Sequence, residues 1–407
     1  MKASSFTWNS IGSILSAGSS FVLLACVTRA CGAKESGIFA FAFSSAQLLL
    51  TVGKYGVRAY QATDVSKEIR TDTYYVLRIF TCALMVLLSA AVIWVFGYSG
   101  SGASIIIAVC VIKMVDAIED VFHGFLQLNG RLDLAGKLLA LRNLITTAFF
   151  GLLIFSTQNI EITCWATGIG SVCICLLLNF WAVKGYEKVA LQIRKEELSS
   201  LVKACTPLCL GSFLSLYIYN IPKYAIDIYC TEEIQTYYNI IFMPAFCINL
   251  LSEFLFKPFL TTLAEWWRKG EKQRFLSVVK KLLVYIAIVT AVAELGTKAI
   301  GVEILSVIYG VDVVPYEKPL LLLMLGGGFG AAVYFLYNVL TSMREQSAVL
   351  KNYTMASVVI TCVAFLSIKS GGIMAAAGSY LLTETILCIF MVISVKKCAK
   401  KDERDVT

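Results

Sequence analysis

The chain alternates between long apolar stretches and short polar connections. Twelve stretches of about 20 residues, the length needed to cross a bilayer core, fall at 6–28, 37–58, 75–97, 103–128, 138–157, 162–183, 205–228, 236–260, 278–298, 319–341, 352–368 and 373–395. The pattern predicts an all-α, polytopic membrane protein with 12 transmembrane helices. The first stretch is too long for the apolar region of a signal peptide and lacks a cleavage site, so it reads as a retained span. The connection 184–204 divides the spans six and six. It sets an N-terminal lobe at 1–190 and a C-terminal lobe at 191–407, the latter closing on a short basic tail. No connection is long enough to hold a catalytic domain outside the membrane.

The connections differ in charge. Of 35 Lys and Arg residues, 23 lie in the even-numbered connections and the two termini, among them Lys67, Arg70, Arg131, Lys137, Arg268, Lys269, Lys396 and Lys397. The odd connections hold only Arg29, Lys34, Lys298, Lys318 and Lys369. The positive-inside rule then places both termini of a multi-pass protein in the cytoplasm. Seven basic residues remain inside or at the edges of spans: Lys54, Arg58, Arg78, Lys113, Arg142, Lys223 and Lys257. A cation in hydrocarbon is costly and marks a functional position by default. Arg78 and Arg142 sit near cytoplasmic span ends and are expected to snorkel to head groups.

Composition narrows the picture further. The chain has 407 residues, 58% hydrophobic and only 15% charged, with a mean hydropathy of +0.76, whereas soluble domains carry about 25% charge. The net charge of +8 resides in cytoplasmic connections, where anionic lipid accounts for it, so nucleic acid is not an expected partner. Fourteen Cys are scattered through apolar stretches without a CxxC pair, and His123 is the only His. No metal site and no cofactor is expected.

Helical phase sorts the polar residues inside spans. Asn9, Ser13, Ser16 and Ser20 share one face of the first span, a stripe typical of helix packing. Ser44, Gln47, Thr51, Lys54, Arg58 and Gln61 follow the same rhythm in the second. Span 4 brings Lys113, Asp116, Asp120, His123 and Gln127 onto one face with Glu119 beside them. Span 7 aligns Ser212, Ser215, Tyr219, Lys223 and Asp227, with Asn220 adjacent, and span 8 adds Asn249, Glu253 and Lys257. Such faces point into a bundle or a water-filled cavity. Lys54, Arg58, Lys113, Lys223 and Lys257 are the candidates for binding an anionic head group. Asp116, Glu119, Asp120, His123, Asn220, Asp227 and Glu253 are the polar cavity and coupling candidates. His123 reads either as a proton carrier or as a hydrogen-bonded neighbour of Asp120, and Glu384 as either luminal or buried.

No G-x-x-x-x-G-K-[ST] loop occurs, so the chain does not hydrolyse nucleotide itself. The run Gly326-Gly327-Gly328-Phe329-Gly330 lies inside an apolar stretch and reads as close packing or a kink. Pro207, Pro222, Pro244 and Pro258 interrupt spans 7 and 8 and supply hinges. A gapless offset of 199 pairs Gly12-Ser13 with Gly211-Ser212 and Arg58 with Lys257, a pointer to internal duplication.

The chain resembles bacterial polysaccharide repeat-unit flippases of the Wzx type, within the multidrug/oligosaccharidyl-lipid/polysaccharide exporter superfamily. The resemblance rests on Arg29-Ala-Cys-Gly-Ala-Lys-Glu-Ser-Gly-Ile-Phe39, Tyr55-Gly-Val-Arg-Ala-Tyr-Gln-Ala-Thr-Asp64, Phe125-Leu-Gln-Leu-Asn-Gly-Arg-Leu-Asp133, Asn220-Ile-Pro-Lys-Tyr-Ala-Ile-Asp227 and Tyr237-Tyr-Asn-Ile-Ile-Phe-Met-Pro-Ala-Phe246. It covers nearly the whole length. It implies two six-helix lobes around a central cavity, alternating access, and an undecaprenyl-pyrophosphate-linked oligosaccharide as cargo. A polysaccharide polymerase and chain-length machinery are the partners it suggests. A cation-coupled drug exporter of the same superfamily is the alternative within transport. A membrane enzyme acting on lipid-linked glycans would use Asp116, Asp120 and His123 as acid–base groups, but no loop offers it a glycan-sized outer site. A major-facilitator symporter lacks its expected G-x-x-x-D-R-x-G-R-R loop at 53–72.

Overall fold

The computed structural model describes residues 3–62, 64, 69–184, 192–343 and 345–404. Side chains are described for all of these except 3–6, 249–251, 253–262, 264, 268, 346 and 400–404. Every regular element among them is helical: α1 (Ala3–Lys54), α2 (Val57–Gln61), α3 (Thr71–Phe96), α4 (Gly100–Leu128), α5 (Leu132–Thr157), α6 (Ile160–Val183), α7 (Lys195–Tyr229), α8 (Glu232–Arg268), α9 (Lys272–Tyr309), α10 (Glu317–Ser342) and α11 (Gln346–Arg404), with a 3-10 turn at Val314–Tyr316.

Ten of these are long, and two of the ten hold two spans each. α1 breaks at Gly32 (φ 85°, ψ 172°) and α11 at Gly372 (φ 51°, ψ −138°), backbone conformations that only glycine adopts without strain. The twelve predicted stretches therefore correspond to twelve helical passes. Helices α7 to α9 run beyond the predicted apolar windows. In α9 the window ends at Lys298, but Ala299–Tyr309 continues the helix because a charge at a membrane boundary does not interrupt backbone hydrogen bonding.

The surface reverses that of a soluble protein. Trp94 is 83% exposed and Leu366 81%, whereas Arg78, Arg142, Glu119 and Glu384 are buried. Eight helical segments among the described residues are long and apolar enough to cross a bilayer. Lipid replaces water as the solvent for the outer faces. The protein is a multi-pass membrane protein.

The chain forms two compact units, Met1–Leu216 and Tyr217–Thr407, which part within α7. In the first unit α1 crosses α5 where two glycines meet. A Cβ on Gly12 would lie 2.6 Å from the Gly136 carbonyl, and one on Gly136 would run into the Trp8 backbone. Small residues at a crossing let backbones approach within lipid. Val57, Tyr74, Tyr75, Phe122, Phe125, Leu126, Leu138, Leu201 and Cys205 join α2 to α5 and the start of α7 in one apolar cluster. Between α1 and α2 the chain turns through an elbow, with Tyr55 (φ 51°) and Gly56 (φ 68°) both left-handed. Tyr55 Oη lies 3.0 Å from Thr206 Oγ1, which ties the elbow to α7.

In the second unit α10 is the central helix. Its glycine run resolves as close packing on three sides. Gly326 faces the Tyr380 ring, Gly327 the Ala245 backbone of α8, and Gly328 the Thr290 side chain of α9. The helix stays continuous through the run, because three packed neighbours hold residues that would otherwise loosen it.

Candidate functional site

One charge network occupies the first unit. Its spine is α4, whose 3.6-residue period lines up Lys113, Asp116, Asp120, His123 and Gln127. The α5 residue Arg142 bridges two of the spine's acids. Its Nη2 donates to Asp116 Oδ1 at 2.6 Å and its Nε to Glu119 Oε2 at 2.7 Å. Lys113 Nζ lies 3.4 Å from Asp116 Oδ2 and 4.5 Å from the centre of the Phe43 ring. His123 Nε2 sits 3.6 Å from Glu119 Oε1, so its acidic neighbour is Glu119 and not Asp120.

A second group lies along the same helix. Arg78 of α3 reaches Asp120 Oδ2 through Nη2 at 3.2 Å, and its Nη1 donates to the Gly53 carbonyl. Thr81 Oγ1 donates to the same carbonyl at 2.8 Å. Arg58 of α2 approaches Asp120 Oδ1 only to 3.7 Å, while its Nε and Nη2 each donate to Gln127 Oε1 at 3.3 Å. The α2 segment lies on α4 at Gly124, where a Cβ would collide with Gln61 Oε1 and press on Arg58 Cγ.

Arg78 and Arg142 do not snorkel. Both are only 2% exposed and both are paired to carboxylates on α4. The physical reason is neutrality. One buried carboxylate, Glu119, and two half-buried ones, Asp116 and Asp120, on one helix require cations within reach, and these two arginines supply the charge that span-end position alone assigned to head groups. The imbalance on span 4, three acids against one lysine, was the signal in the sequence that pointed to them.

The network does not balance fully. Among the Lys, Arg, Asp and Glu side chains, Lys54, Arg58, Arg78, Lys113 and Arg142 accompany Asp116, Glu119 and Asp120. Arg78, Lys113 and Arg142 are buried and each is bonded to an acid. The surplus therefore falls on Lys54 and Arg58. Lys54, at the end of α1, is half-buried and its side chain has no hydrogen bond or ion pair among the described residues. The Arg58 side chain is 27% exposed. Lys113, expected on a cavity wall, is instead enclosed between α4 and Phe43. Ser44, Thr51 and Gln61, from the same predicted stripe as Lys54, are buried inside the unit.

The second unit carries the remaining candidates. Lys223 Nζ stands 4.7 Å over the Phe242 ring. Phe242 and Tyr219 each pack on Tyr380, with ring centres 5.1 and 5.6 Å away. Asn220 is buried and Asp227 half-buried. Glu384, one turn beyond Tyr380, is buried rather than luminal. The side chains of Glu253, Lys257 and Asn249 lie outside the described residues. Glu294 on α9, which the sequence reading passed over, lines an apolar cavity of about 630 Å³ with Thr290, Leu325, Phe329 and Cys388. A lone charge in an apolar stretch was its only signal. Among the described residues no group of three or more His, Cys, Asp or Glu is arranged to hold a metal ion.

No family model matches the chain. It is 18% identical over 392 residues to the capsular polysaccharide biosynthesis protein CapF of Staphylococcus aureus, with 94% of this chain and 96% of that protein aligned. Its structure is similar to the inward-facing conformation of a multidrug resistance MATE family transporter of the MOP superfamily, with a TM-score of 0.73 at 10% identity over 96% of each chain. It is also similar to the lipid II flippase MurJ in an inward closed conformation, with a TM-score of 0.72 at 14% identity over 95% of this chain and 87% of that one. The chain has the all-α fold of these two proteins.

Proposed function

We propose that this protein is a flippase that carries undecaprenyl-pyrophosphate-linked oligosaccharide repeat units from the inner to the outer leaflet for surface polysaccharide synthesis. The observation that carries the reading is the excess of cations over carboxylates in this network, whose less enclosed cations are Lys54 and Arg58, the latter only loosely paired with Asp120. A pyrophosphate is multiply anionic, and a guanidinium beside an ammonium suits its oxygens in number and sign. A cation-selective exporter would need the opposite surplus. The likeness to CapF and to the lipid II flippase supports a lipid-linked glycan as cargo.

In this reading lobes 1–190 and 191–407 alternate access to a central cavity, with both termini in the cytoplasm of a bacterial inner membrane. Lys54 and Arg58 receive the pyrophosphate. Lys223 and Lys257 are the cationic candidates of the C-terminal lobe, and Lys113 acts through Asp116 by holding the network in place. Glu119, His123, Asn220, Asp227 and Glu253 are polar groups of the transport path. A polymerase and chain-length machinery take up the product.

The test is reconstitution. Proteoliposomes containing the purified protein and a fluorescent undecaprenyl-pyrophosphate oligosaccharide are scored for label reaching the opposite leaflet, where an impermeant quencher removes it. Transport above protein-free vesicles supports the reading, and its absence in active preparations counts against it. One observation favours the second reading, an exporter of amphipathic cations: the Glu294 carboxylate in its apolar cavity. Resistance to such compounds in an efflux assay, without lipid flipping, would select it.

A further inference from the structure

Asp120 is held by two arginines of very different character. Arg78 is enclosed, bonded at 3.2 Å to Oδ2, and anchored a second time on the Gly53 carbonyl. Arg58 is more open, stands 3.7 Å from Oδ1, and leans on the neutral oxygen of Gln127 at 3.3 Å. The longer separation is outside normal hydrogen-bond range, so the Arg58–Asp120 contact is ionic attraction without a well-formed bond. The Arg58 stem passes close to Gly124, where a Cβ would lie 3.4 Å from Cγ. An anchored carboxylate thus faces a loosely satisfied guanidinium.

We propose that Asp120 is the resident counter-anion of the cargo site, and that the cargo's phosphate group binds by taking Arg58 away from it. This rests on the flippase reading and names the residue that sets how tightly the cargo is held. Three consequences follow from the geometry. Asp120 screens Arg58 while the site is empty, which lowers the cost of a part-buried cation. Because Arg78 keeps Asp120 in place, the carboxylate stays within reach of Arg58 and competes with the bound phosphate for it. That competition weakens the complex and returns Arg58 to Asp120 on release, so that a site with two surplus cations does not trap its anion. Asp120 is a positioning residue here, since it acts on the cargo through Arg58.

The test uses full-length protein in nanodiscs and undecaprenyl pyrophosphate as probe, titrated calorimetrically, with inorganic pyrophosphate as the tail-free comparison. Asp120→Asn is expected to bind about tenfold more tightly than the parent, the size of one close charge pair, and to flip more slowly. Arg58→Gln is expected to bind about tenfold more weakly, and the double variant Arg58→Gln/Asp120→Asn to match Arg58→Gln alone. Structural damage would weaken binding, so tighter binding separates the two roles. Because Asp120→Asn leaves Arg78 enclosed without its acid, Arg78→Met/Asp120→Asn removes the pair together and carries the same expectation if the single variant does not fold. Equal or weaker binding by the folded acid-free variant, with the parent binding normally, overturns the exchange and leaves the flippase reading standing. Failure of the parent to bind the probe at all overturns both.

Discussion

Arg142 Nε lies 2.7 Å from Glu119 Oε2, with both side chains nearly sealed from solvent at 3% and 1% exposure. The same guanidinium holds Asp116, so one α5 residue bridges two acids on α4. Arg142→Met leaves both without their principal cation and is expected to cost about 3 kcal/mol. The melting temperature of the detergent-solubilised protein, followed by tryptophan fluorescence, checks this. Adding Glu119→Leu to Arg142→Met should recover part of the loss, because an uncompensated buried charge is worse than an apolar pair.

Lys54 and Lys113 should separate cleanly. Lys54→Gln removes a half-buried cation without a hydrogen bond or ion pair among the described residues, so it is expected to reduce flipping about tenfold and to leave the melting temperature within about 2 °C. Lys113→Met removes an enclosed cation bonded to Asp116 and packed on Phe43. It should lower the melting temperature by several degrees, and flipping only as far as folded protein is lost. Equal stability losses for the two would contradict the division drawn in the network.

The glycine run of α10 makes a packing prediction. A Cβ on Gly327 would stand 3.0 Å from the Ala245 Cα and 3.1 Å from its carbonyl oxygen, where backbone cannot yield easily. Gly327→Val is therefore expected to cost about 3 kcal/mol through overpacking, seen as lost monodisperse protein in size-exclusion chromatography. Ala245→Gly removes only the Ala245 Cβ, 3.1 Å from the same point, and leaves the backbone contact, so the double variant should recover little of the yield.

Topology can be checked at the C-terminus. If the basic tail holds that end in the cytoplasm, as the positive-inside rule predicts, fusion of green fluorescent protein after Thr407 should give fluorescent cells and fusion of alkaline phosphatase inactive enzyme. An active phosphatase fusion would invert the orientation and place Lys54 and Arg58 at the opposite membrane face.

Much of the architecture was legible in the chain. Span length follows from bilayer thickness, so the apolar windows located the passes even where α1 and α11 run on through Gly32 and Gly372. The helical period of α4 placed Lys113, Asp116, Asp120 and His123 on one face. It could not reveal that α5 brings Arg142, and α3 brings Arg78, to meet them. Partners of a charge inside a bundle are chosen by helix rotation and crossing, which sequence position within one span does not encode.

By itself the sequence determined that this chain is a bundle of twelve membrane-crossing helices, because hydrocarbon requires every backbone polar group to be satisfied within a helix and penalises unpaired charge. Tertiary structure alone decided which charges are consumed internally. Arg78, Lys113 and Arg142 became structural by reaching the carboxylates of α4, while Lys54 and Arg58, beside the Tyr55–Gly56 elbow, kept the surplus. The physical reason is that electrostatic pairing depends on angstrom-scale distances between helices, and those distances are set by packing.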